Sequence, residues 1–223
     1  MKILGIDTSS KFFCLGIYDN GKIYEYNLET GIKLSSLITV NIKRAMDSIG
    51  WRIEDIDFFA CGLGPGSFTG LRIGITTIKG LSWAAKKPVI GVPSLDILAM
   101  NVKCAFKPVI PIIDAKRSLI YCSVYKEKNG RLNRITPYML LGVDELLKNI
   151  LPGSILLGDA VSLYRDKIMA NIKGVSFLDK DYWILKPRHL ITLALQRIKD
   201  KKFNDAFNIK PIYLYPKECQ VKK

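Results

Sequence analysis

The sequence contains almost none of the residues from which metal sites and histidine-dependent active sites are built. Of its 223 residues one is a histidine, and its five cysteines form no C-x-x-C pair. A histidine-based zinc site, or a hydrolase with a Ser–His or Cys–His pair, would therefore depend on His189 alone. We expect no metal site and no catalytic residue in this chain. His189 follows Pro187 at a predicted helix start, so we expect it to be solvated or to lie at a helix end.

Long hydrophobic runs are also absent. No apolar run approaches the roughly 20 residues that a membrane-spanning helix needs, and Lys2 is followed by a short strand-like run instead of a signal-peptide core. A hydrophobic content of 48% nevertheless excludes a disordered chain. Several cysteines sit within apolar runs, which predicts buried reduced thiols. The sequence thus predicts a globular, cytoplasmic protein with no membrane contact.

Positive charge is concentrated in the second half of the chain. Residues 1–100 hold 11 Lys and Arg against 9 Asp and Glu, and residues 101–223 hold 23 against 11, so the second half carries +12 of the total +14. Basic clusters at residues 126–134, 199–202 and 217–223 are suited to phosphates. No nucleic-acid-binding module is recognisable. RNA contact through the basic second half therefore stands beside a second hypothesis, a solvated basic surface.

A glycine-rich junction separates an apolar run from a helical pattern. The run IDFFAC at residues 56–61 is typical of a strand buried on both faces. The block GPGSFTGLRIG at residues 64–74 then breaks the strand and starts a helix, with Ser67 or Thr69 as its N-cap. Such a turn can bind phosphate. Both G-x-x-x-x-G-K-[ST] and G-x-G-x-x-G are missing, however, so phosphate binding is not our preferred interpretation of this loop.

The helix predicted over residues 68–85 carries small or apolar residues on two stripes. One stripe contains Phe68, Leu71, Ile75 and Ile78, and the other contains Gly70, Gly74, Thr77 and Leu81. The two glycines would let another backbone approach closely. Amphipathicity alone leaves two alternatives open, a core helix sandwiched inside one domain and a helix with one face on a partner.

The chain carries the same plan twice. Residues 2–23 and 109–132 each contain an apolar strand that ends in an aspartate, Asp7 or Asp114, then a polar turn, a second strand with a cysteine, and an Asn-Gly turn into a third strand. Helices near 33–49 and 68–85 with a strand at 56–61 complete the first half. A helix near 143–150, a strand at 154–158 and helices near 163–170 and 188–199 complete the second half.

This duplication predicts an α/β fold of two lobes, each a mixed sheet flanked by helices. We expect an N-terminal lobe of residues 1–103 and a basic C-terminal lobe of residues 104–223. The layout resembles the superfamily of actin, sugar kinases and heat-shock ATPases, in which nucleotide sits between two lobes.

The superfamily resemblance implies a vestigial nucleotide site at Asp7, Ser9, Ser10 and Asp114, because metal-organising aspartates occupy the positions of Asp7 and Asp114. The usual phosphate hairpin has a glycine after the aspartate, whereas neither aspartate is followed by one here. Close approach of a phosphate to the backbone is therefore hindered. Aspartates at strand ends also form turns by accepting backbone N–H bonds. We do not expect an autonomous ATPase.

Nearly the whole chain resembles the bacterial TsaB family, also called YeaZ, which serves threonylcarbamoyladenosine synthesis on tRNA. The matching segments, in order, are ILGIDTSS at residues 3–10, GLGPGSFTGLRIG at 62–74, PVIGVPSLDILA at 88–99, IDAKRSLIY at 113–121, LLGD at 156–159 and PIYLYP at 211–216. The second of these blocks is highly specific. The same order of all six makes a chance match implausible.

The family resemblance implies a non-catalytic member of the actin-like ATPase class that forms a heterodimer with a sister subunit, TsaD. TsaD transfers the threonylcarbamoyl group to the adenosine beside the anticodon, with the ATPase TsaE assisting. This chain would need no cofactor of its own, and ATP or ADP and Mg²⁺ would be used by the partner complex. Charge alone suggests contact between tRNA and the basic C-terminal lobe, and an uncovered apolar helix face favours a homodimer when the chain is alone, with a monomer as the alternative.

By the same resemblance, the partner surface lies on the two helices of the first lobe. Its predicted residues are Leu34, Leu37, Ile38, Asn41, Phe68, Gly70, Leu71, Gly74, Thr77, Ile78 and Leu81.

One departure from the family pattern concerns the start of the first helix. Family members usually have a His-Ser-Glu element there, whereas residues 33–36 read KLSS. The loss of this histidine favours a non-catalytic chain and leaves the detail of the partner contact at residues 33–36 open. Two other functions remain as alternatives: a stand-alone nucleotide-binding regulator that uses the cleft between the lobes, and a metallopeptidase, an older label for this family.

Overall fold

The chain forms two compact units. The first comprises Met1–Ile97 and Leu185–Pro211, and the second comprises Leu98–Ile184 and the segment that begins at Ile212. The computed structural model describes residues 1–102, 106–203 and 205–216, and of Ile32 it describes only the backbone. The boundary predicted between residues 103 and 104 lies outside the described residues.

Each unit begins with a run of antiparallel strands, after which strands and α-helices alternate. The strands are β1 (Lys2–Asp7), β2 (Phe12–Asp19), β3 (Lys22–Glu29), β4 (Phe58–Gly62), β5 (Val89–Val92), β6 (Val109–Lys116), β7 (Leu119–Cys122), β8 (Tyr125–Lys128), β9 (Arg131–Arg134), β10 (Met139–Gly142), β11 (Ile155–Leu157) and β12 (Ser176–Phe177). The helices are α1 (Leu34–Ser48), α2 (Phe68–Ala85), α3 (Ser94–Ala99), α4 (Val143–Asn149), α5 (Val161–Asn171) and α6 (Pro187–Lys199). None of the helices in these described ranges is long and apolar enough to cross a bilayer.

The first unit is built on a five-stranded mixed sheet in the order β3-β2-β1-β4-β5. The strands β1, β2 and β3 run antiparallel, whereas β1, β4 and β5 are parallel. The β2–β3 hairpin turns at Asn20 and Gly21, which both have positive φ, as the Asn-Gly signal predicts. Strand β1 lies at the centre of the sheet and is buried along all but its first residue.

Helix α6 belongs to the first unit, although the sequence prediction placed it in the second lobe. Its apolar residues Leu190 and Ile191 are fully buried against β1 and β2. Gly5 and Gly16 permit this contact, because a Cβ on Gly16 would lie 2.8 Å from Cγ1 of Ile191. The Arg188 guanidinium donates to a Glu25 carboxylate oxygen over 2.6 Å and ties the start of α6 to β3. Long-range packing of this kind leaves no local signal in the sequence.

The second unit contains a seven-stranded sheet whose main path is β10-β7-β6-β11-β12, with β8 pairing to β6 and β9. The predicted repeat of three strands is only partly correct here. The second strand is interrupted at Ser123 and Val124, where the Ser123 hydroxyl donates to the Thr136 carbonyl and the Val124 N–H donates to the Thr136 hydroxyl. The interruption divides this strand into β7 and β8, and β10 takes the place beside β7.

The described cysteines agree with the predicted buried thiols. Cys14, Cys61 and Cys122 are free and buried, and burial raises the pKa of the Cys122 thiol to about 12. The two remaining cysteines lie outside the described residues. His189 lies in the first turn of α6, which confirms its predicted place at a helix end, and it is buried there.

Helix α2 begins and ends where the sequence predicts, and its glycine stripe packs inside the chain. The Ser67 hydroxyl caps the helix by accepting from the Gly70 N–H. A Cβ on Gly70 would overlap the Thr8 carbonyl oxygen, and a Cβ on Gly74 would overlap the Thr8 hydroxyl. The two glycines are therefore required where α2 crosses the turn after β1.

We predict that Gly70→Ala and Gly74→Ala each destabilise the isolated chain by about 1–3 kcal/mol, because the added methyl group has no room. Gly80→Ala is the matched control in the same helix, since nothing lies within 4 Å of a Cβ there. It should raise the free energy of unfolding by about 0.5–1 kcal/mol. Urea denaturation of the three variants measures this, and equal stability of Gly74→Ala and Gly80→Ala would contradict the packing described.

Candidate functional site

The polar groups of the turn after β1 are hydrogen-bonded within the chain itself. Asp7 is fully buried; its two carboxylate oxygens accept from the Ser9 N–H at 2.7 Å and from the Ser94 hydroxyl at 2.6 Å. The Ser94 hydroxyl in turn accepts from the Gly64 N–H at 3.0 Å. These bonds join the end of β1, the glycine-rich loop and the start of α3 into one polar cluster.

The glycine-rich loop lies directly on this turn. The Ser67 N–H donates to the Ser9 carbonyl at 2.7 Å, and the Thr8 hydroxyl donates to the Gly70 carbonyl at 2.8 Å. A Cβ on Gly62 would overlap the Asp7 carboxylate, and one on Gly66 would overlap the Ser9 carbonyl. The N–H groups of Ser9, Ser67 and Gly70 are all used within the chain, so the turn offers none of them to a phosphate.

Burial raises the pKa of the Asp7 carboxyl above its ordinary value of 3.8, although hydrogen bonds from Ser9 and Ser94 oppose the shift. Burial also raises the pKa of the Cys14 and Cys61 thiols well above the usual range, and the charge of Asp7 adds to the effect at both. An ionised metal-organising aspartate normally has solvent or a cation beside it. Asp7 instead has hydroxyl and backbone donors of its own chain.

The corresponding turn in the second unit is also held by its own residues. Asp114 accepts from the Lys116 N–H and from its ammonium group, at 2.8 Å and 2.5 Å, and the Asp114 N–H donates to Asp159. Residues 116–118 all have positive φ without a glycine among them. The Tyr215 hydroxyl donates to the carbonyls of Ala115 and Lys116. These contacts hold a backbone conformation that non-glycine residues rarely adopt.

Of the four residues of the predicted vestigial nucleotide site, Asp7, Ser10 and Asp114 have hydrogen-bond partners for their side chains, and Ser9 is bonded through its backbone. The buried Ser9 hydroxyl has no hydrogen-bond partner among the described residues. Asp7, Ser9 and Ser10 lie in the first unit, where the Ser10 hydroxyl accepts from the Phe12 N–H, and Asp114 lies in the second. Across the described ranges, no group of three or more His, Cys, Asp or Glu side chains is arranged to hold a metal ion.

The predicted partner residues divide into two sets. Seven are buried inside the chain: Leu34, Ile38, Asn41, Gly70, Leu71, Gly74 and Ile78. Four are half-buried: Leu37, Phe68, Thr77 and Leu81. The first set includes the glycine stripe, which contacts Thr8 instead of a partner, and Asn41, whose amide oxygen accepts from the Tyr26 hydroxyl. Seven of the eleven predicted residues are thus covered by the chain itself, and the partner surface stays a prediction.

A shallow groove lies between α1 and α2 on the surface of the first unit, and we call it the α1–α2 groove. It is mostly apolar and is lined by Thr39, Arg72, Ile73, Thr76, Thr77, Gly80 and Leu81. The Arg72 guanidinium lies over the Phe68 ring at 3.8 Å. Of the groove residues, the prediction included Thr77 and Leu81. Of the others, Thr39 lies on α1, and Ile73, Thr76 and Gly80 recur at three- and four-residue intervals along α2, but this spacing does not tell which helix face turns to the sheet.

The basic clusters do not share one unit. The cluster at 126–134 lies on β8 and β9 of the second unit, whereas residues 199–202 end α6 in the first unit. The cluster at 217–223 lies outside the described residues. The predicted assignment of all three to a basic C-terminal lobe is therefore incorrect for residues 199–202.

Comparison with known proteins gives a consistent set of relatives. The family model described as "TsaD: tRNA N6-adenosine threonylcarbamoyltransferase" matches residues 30–183. The tRNA threonylcarbamoyladenosine biosynthesis protein TsaB of Bacillus subtilis is 31% identical over 236 residues, which cover 100% of this chain and 97% of that protein. The chain belongs to the TsaB family. The TsaB of Escherichia coli is 25% identical over 96% of this chain and 94% of its own length.

Coverage separates TsaB from TsaD among these relatives. The tRNA N6-adenosine threonylcarbamoyltransferase of Anaplasma phagocytophilum is 26% identical over 50% of this chain, but the match covers only 37% of that protein. The TsaB proteins of Bacillus subtilis and Escherichia coli are instead matched along 97% and 94% of their length. The match to the TsaD model shows that the two families are related over residues 30–183.

Solved structures show the same fold. YeaZ from Pseudomonas aeruginosa superposes with a TM-score of 0.83 over 96% of this chain and 99% of its own, at 23% identity. A second Pseudomonas aeruginosa structure, described as similar to peptidase YeaZ, gives a TM-score of 0.85 at 22% identity. The predicted α/β fold of two lobes, each a mixed sheet flanked by helices, is confirmed.

The raised pKa of Asp7 predicts a pH dependence of stability for this TsaB-family protein. A folded-state pKa above the unfolded value makes the folded state bind the proton more tightly. The stability contributed by the protonated carboxyl is therefore present below pH 3.8 and is lost as the pH rises through the raised folded pKa. Asp7→Asn removes this titration.

We expect the unfolding free energy of the wild type, minus that of Asp7→Asn, to fall as the pH rises through this window and then to stay level. Urea denaturation midpoints measured at closely spaced pH values test the sign. A difference that rises with pH would show that Asp7 is stabilised as the carboxylate and would contradict the burial-dominated environment.

Proposed function

We propose that this chain is a non-catalytic subunit in the formation of threonylcarbamoyladenosine on tRNA. In this role the chain binds a TsaD protein through the α1–α2 groove and holds TsaD in a competent arrangement. The assembled pair then provides a docking site for TsaE. The names of its full-length relatives, which are tRNA threonylcarbamoyladenosine biosynthesis proteins, support the pathway. A role on tRNA also favours the cytoplasm as its location.

The observation that carries the non-catalytic role is the closed turn after β1. A nucleotide-using lobe needs free backbone N–H groups and an accessible carboxylate at this place. Here Asp7 is buried and doubly hydrogen-bonded, and the glycine-rich loop covers Ser9. We therefore propose that the chain uses no cofactor of its own, and that ATP, ADP and Mg²⁺ belong to the partner complex.

Three features support the α1–α2 groove as the partner surface. It is mostly apolar, and it lies on two adjacent helices with small or short side chains at Thr76, Thr77 and Gly80. It falls within residues 30–183, the part related to TsaD. Related lobes can present similar helix faces to each other, as in a two-fold symmetric dimer. The same argument supports a homodimer through this face when the chain is alone.

We predict that Ile73→Glu and Leu81→Glu each weaken association with TsaD by about 2 kcal/mol, some thirtyfold in Kd, because a carboxylate would be desolvated in an apolar contact. Both side chains are half-buried in the isolated chain, so circular dichroism should show intact folding. Leu163→Glu on α5, where the leucine is exposed in the second unit, is the matched control and should bind normally.

Isothermal titration of each purified variant with TsaD measures the loss. Wild-type affinity of both groove variants would place the partner surface elsewhere. A loss that also appears in Leu163→Glu would indicate a general effect of added negative charge and would equally contradict the assignment.

A further inference from the structure

An exposed aromatic patch lies at the carboxyl end of α2, away from the turn and the groove described above. Three rings form it, Trp83, Phe203 and Phe207, with exposed fractions of 68%, 42% and 73%. They line one apolar depression in the first unit together with Lys86 and Lys87. We call these five residues the aromatic–lysine patch. Large exposed rings grouped in this way are uncommon on a soluble surface and mark a binding site.

Contacts within the chain hold two of the three rings of the patch. The Phe207 N–H donates to the Asp205 carboxylate at 2.8 Å, and the Lys79 ammonium donates to the Phe207 carbonyl at 3.5 Å. The Phe203 ring packs edge-on against Phe58 at 5.6 Å. Lys86 ends α2 in a left-handed conformation. A preorganised platform loses little entropy when a flat ligand stacks on it.

Charge around the patch is strongly positive. Residues 79–88 contain three lysines and no acidic residue, and residues 199–210 contain four lysines and two aspartates, so the two segments carry 7 − 2 = +5. The Asp205 carboxylate is occupied by the N–H groups of Phe207 and Asn208 and by the Asn208 amide. Asp200 lies 3.9 Å from the Lys202 ammonium. Lys86, Lys199, Lys201 and Lys210 are exposed, and no ion pair joins any of the four to an acidic side chain within the described residues.

The combination of aromatic rings and lysines indicates which class of molecule the patch binds. Protein interfaces are enriched in aromatic residues but depleted in lysine. Single-stranded nucleic acid binds to both kinds of residue, because its bases stack on exposed aromatic rings while its phosphates pair with lysine or arginine. We infer that the aromatic–lysine patch binds an unpaired segment of RNA, with a base stacked on Trp83 or Phe207 and the backbone phosphates near Lys86 and Lys87. The inference rests on the proposed function, in which the substrate is tRNA.

Intrinsic fluorescence of the full chain gives a direct test. Trp51 is buried and the Trp183 indole donates to the Leu178 carbonyl, so Trp83 is the exposed indole of the three. A single-stranded oligoadenylate and an unmodified tRNA transcript serve as ligands, first with the chain alone and then with its TsaD complex. Stacking should quench the Trp83 emission on titration, and Trp83→Phe should remove the signal while affinity, followed by anisotropy of labelled RNA, is retained.

We expect Trp83→Ala to weaken RNA binding by about tenfold, as for the loss of one stacked base. The double variant Lys86→Gln/Lys87→Gln should lower the slope of log K against log salt by about 1.4, or 0.7 for each phosphate contact. Lys22→Gln/Lys43→Gln removes the same charge from exposed positions in the first unit that lie outside the basic clusters. This control should leave the slope unchanged.

Three results would overturn the inference. One is unchanged RNA affinity in Trp83→Ala, both alone and in the complex. Another is an equal change of salt slope in the two lysine double variants, which would indicate diffuse charge without a site. The third is loss of TsaD association in Trp83→Ala with RNA binding intact, which would make the patch a protein contact. The proposed function is tested separately, by measuring the affinity of the groove variants for TsaD.

Discussion

The fold of the first unit depends on close contact between the turn after β1 and the start of α2. Thr8 lies against Gly70 and Gly74, and the buried Asp7 carboxylate is bound by Ser9 and Ser94. This contact fixes α2 on the sheet and uses the backbone N–H groups and the carboxylate of the turn within the chain. One arrangement therefore both stabilises the helix and satisfies the polar groups of the turn.

Once α2 is fixed in this way, its two long faces have different roles. The face with the glycines is covered by the chain itself, and the face with Ile73, Thr76 and Gly80 remains open beside α1. At the far end of the helix, the aromatic–lysine patch forms a third and chemically different surface. The polar groups of the turn are bonded within the chain, whereas the groove and the patch are open surfaces of different chemistry. A protein of this kind is suited to hold other molecules together.

Local signals explain why much of this fold was predictable. The bounds of α2 follow from the glycine-rich turn, the Ser67 cap and the helical period, all within twenty residues. The β2–β3 turn follows from Asn20 and Gly21 alone. Periodicity identified the Gly70–Gly74 stripe as a close-packing face without naming its neighbour, which is Thr8 of the same chain. The packing of α6 on the first sheet and the aromatic patch both depend on residues more than a hundred positions apart, so no local sequence pattern predicts either of them.

The central claim is that this chain supports modification of tRNA without contributing a reactive group. It is tested most directly by reconstituting threonylcarbamoyladenosine formation from TsaD, TsaE, the threonylcarbamoyl adenylate and tRNA, with this chain absent, wild type or Asp7→Asn/Asp114→Asn. We expect little product without the chain and the same rate with the wild type and with the folded double variant. A full rate in its absence, or a lost rate with a double variant that still binds TsaD, would contradict the account.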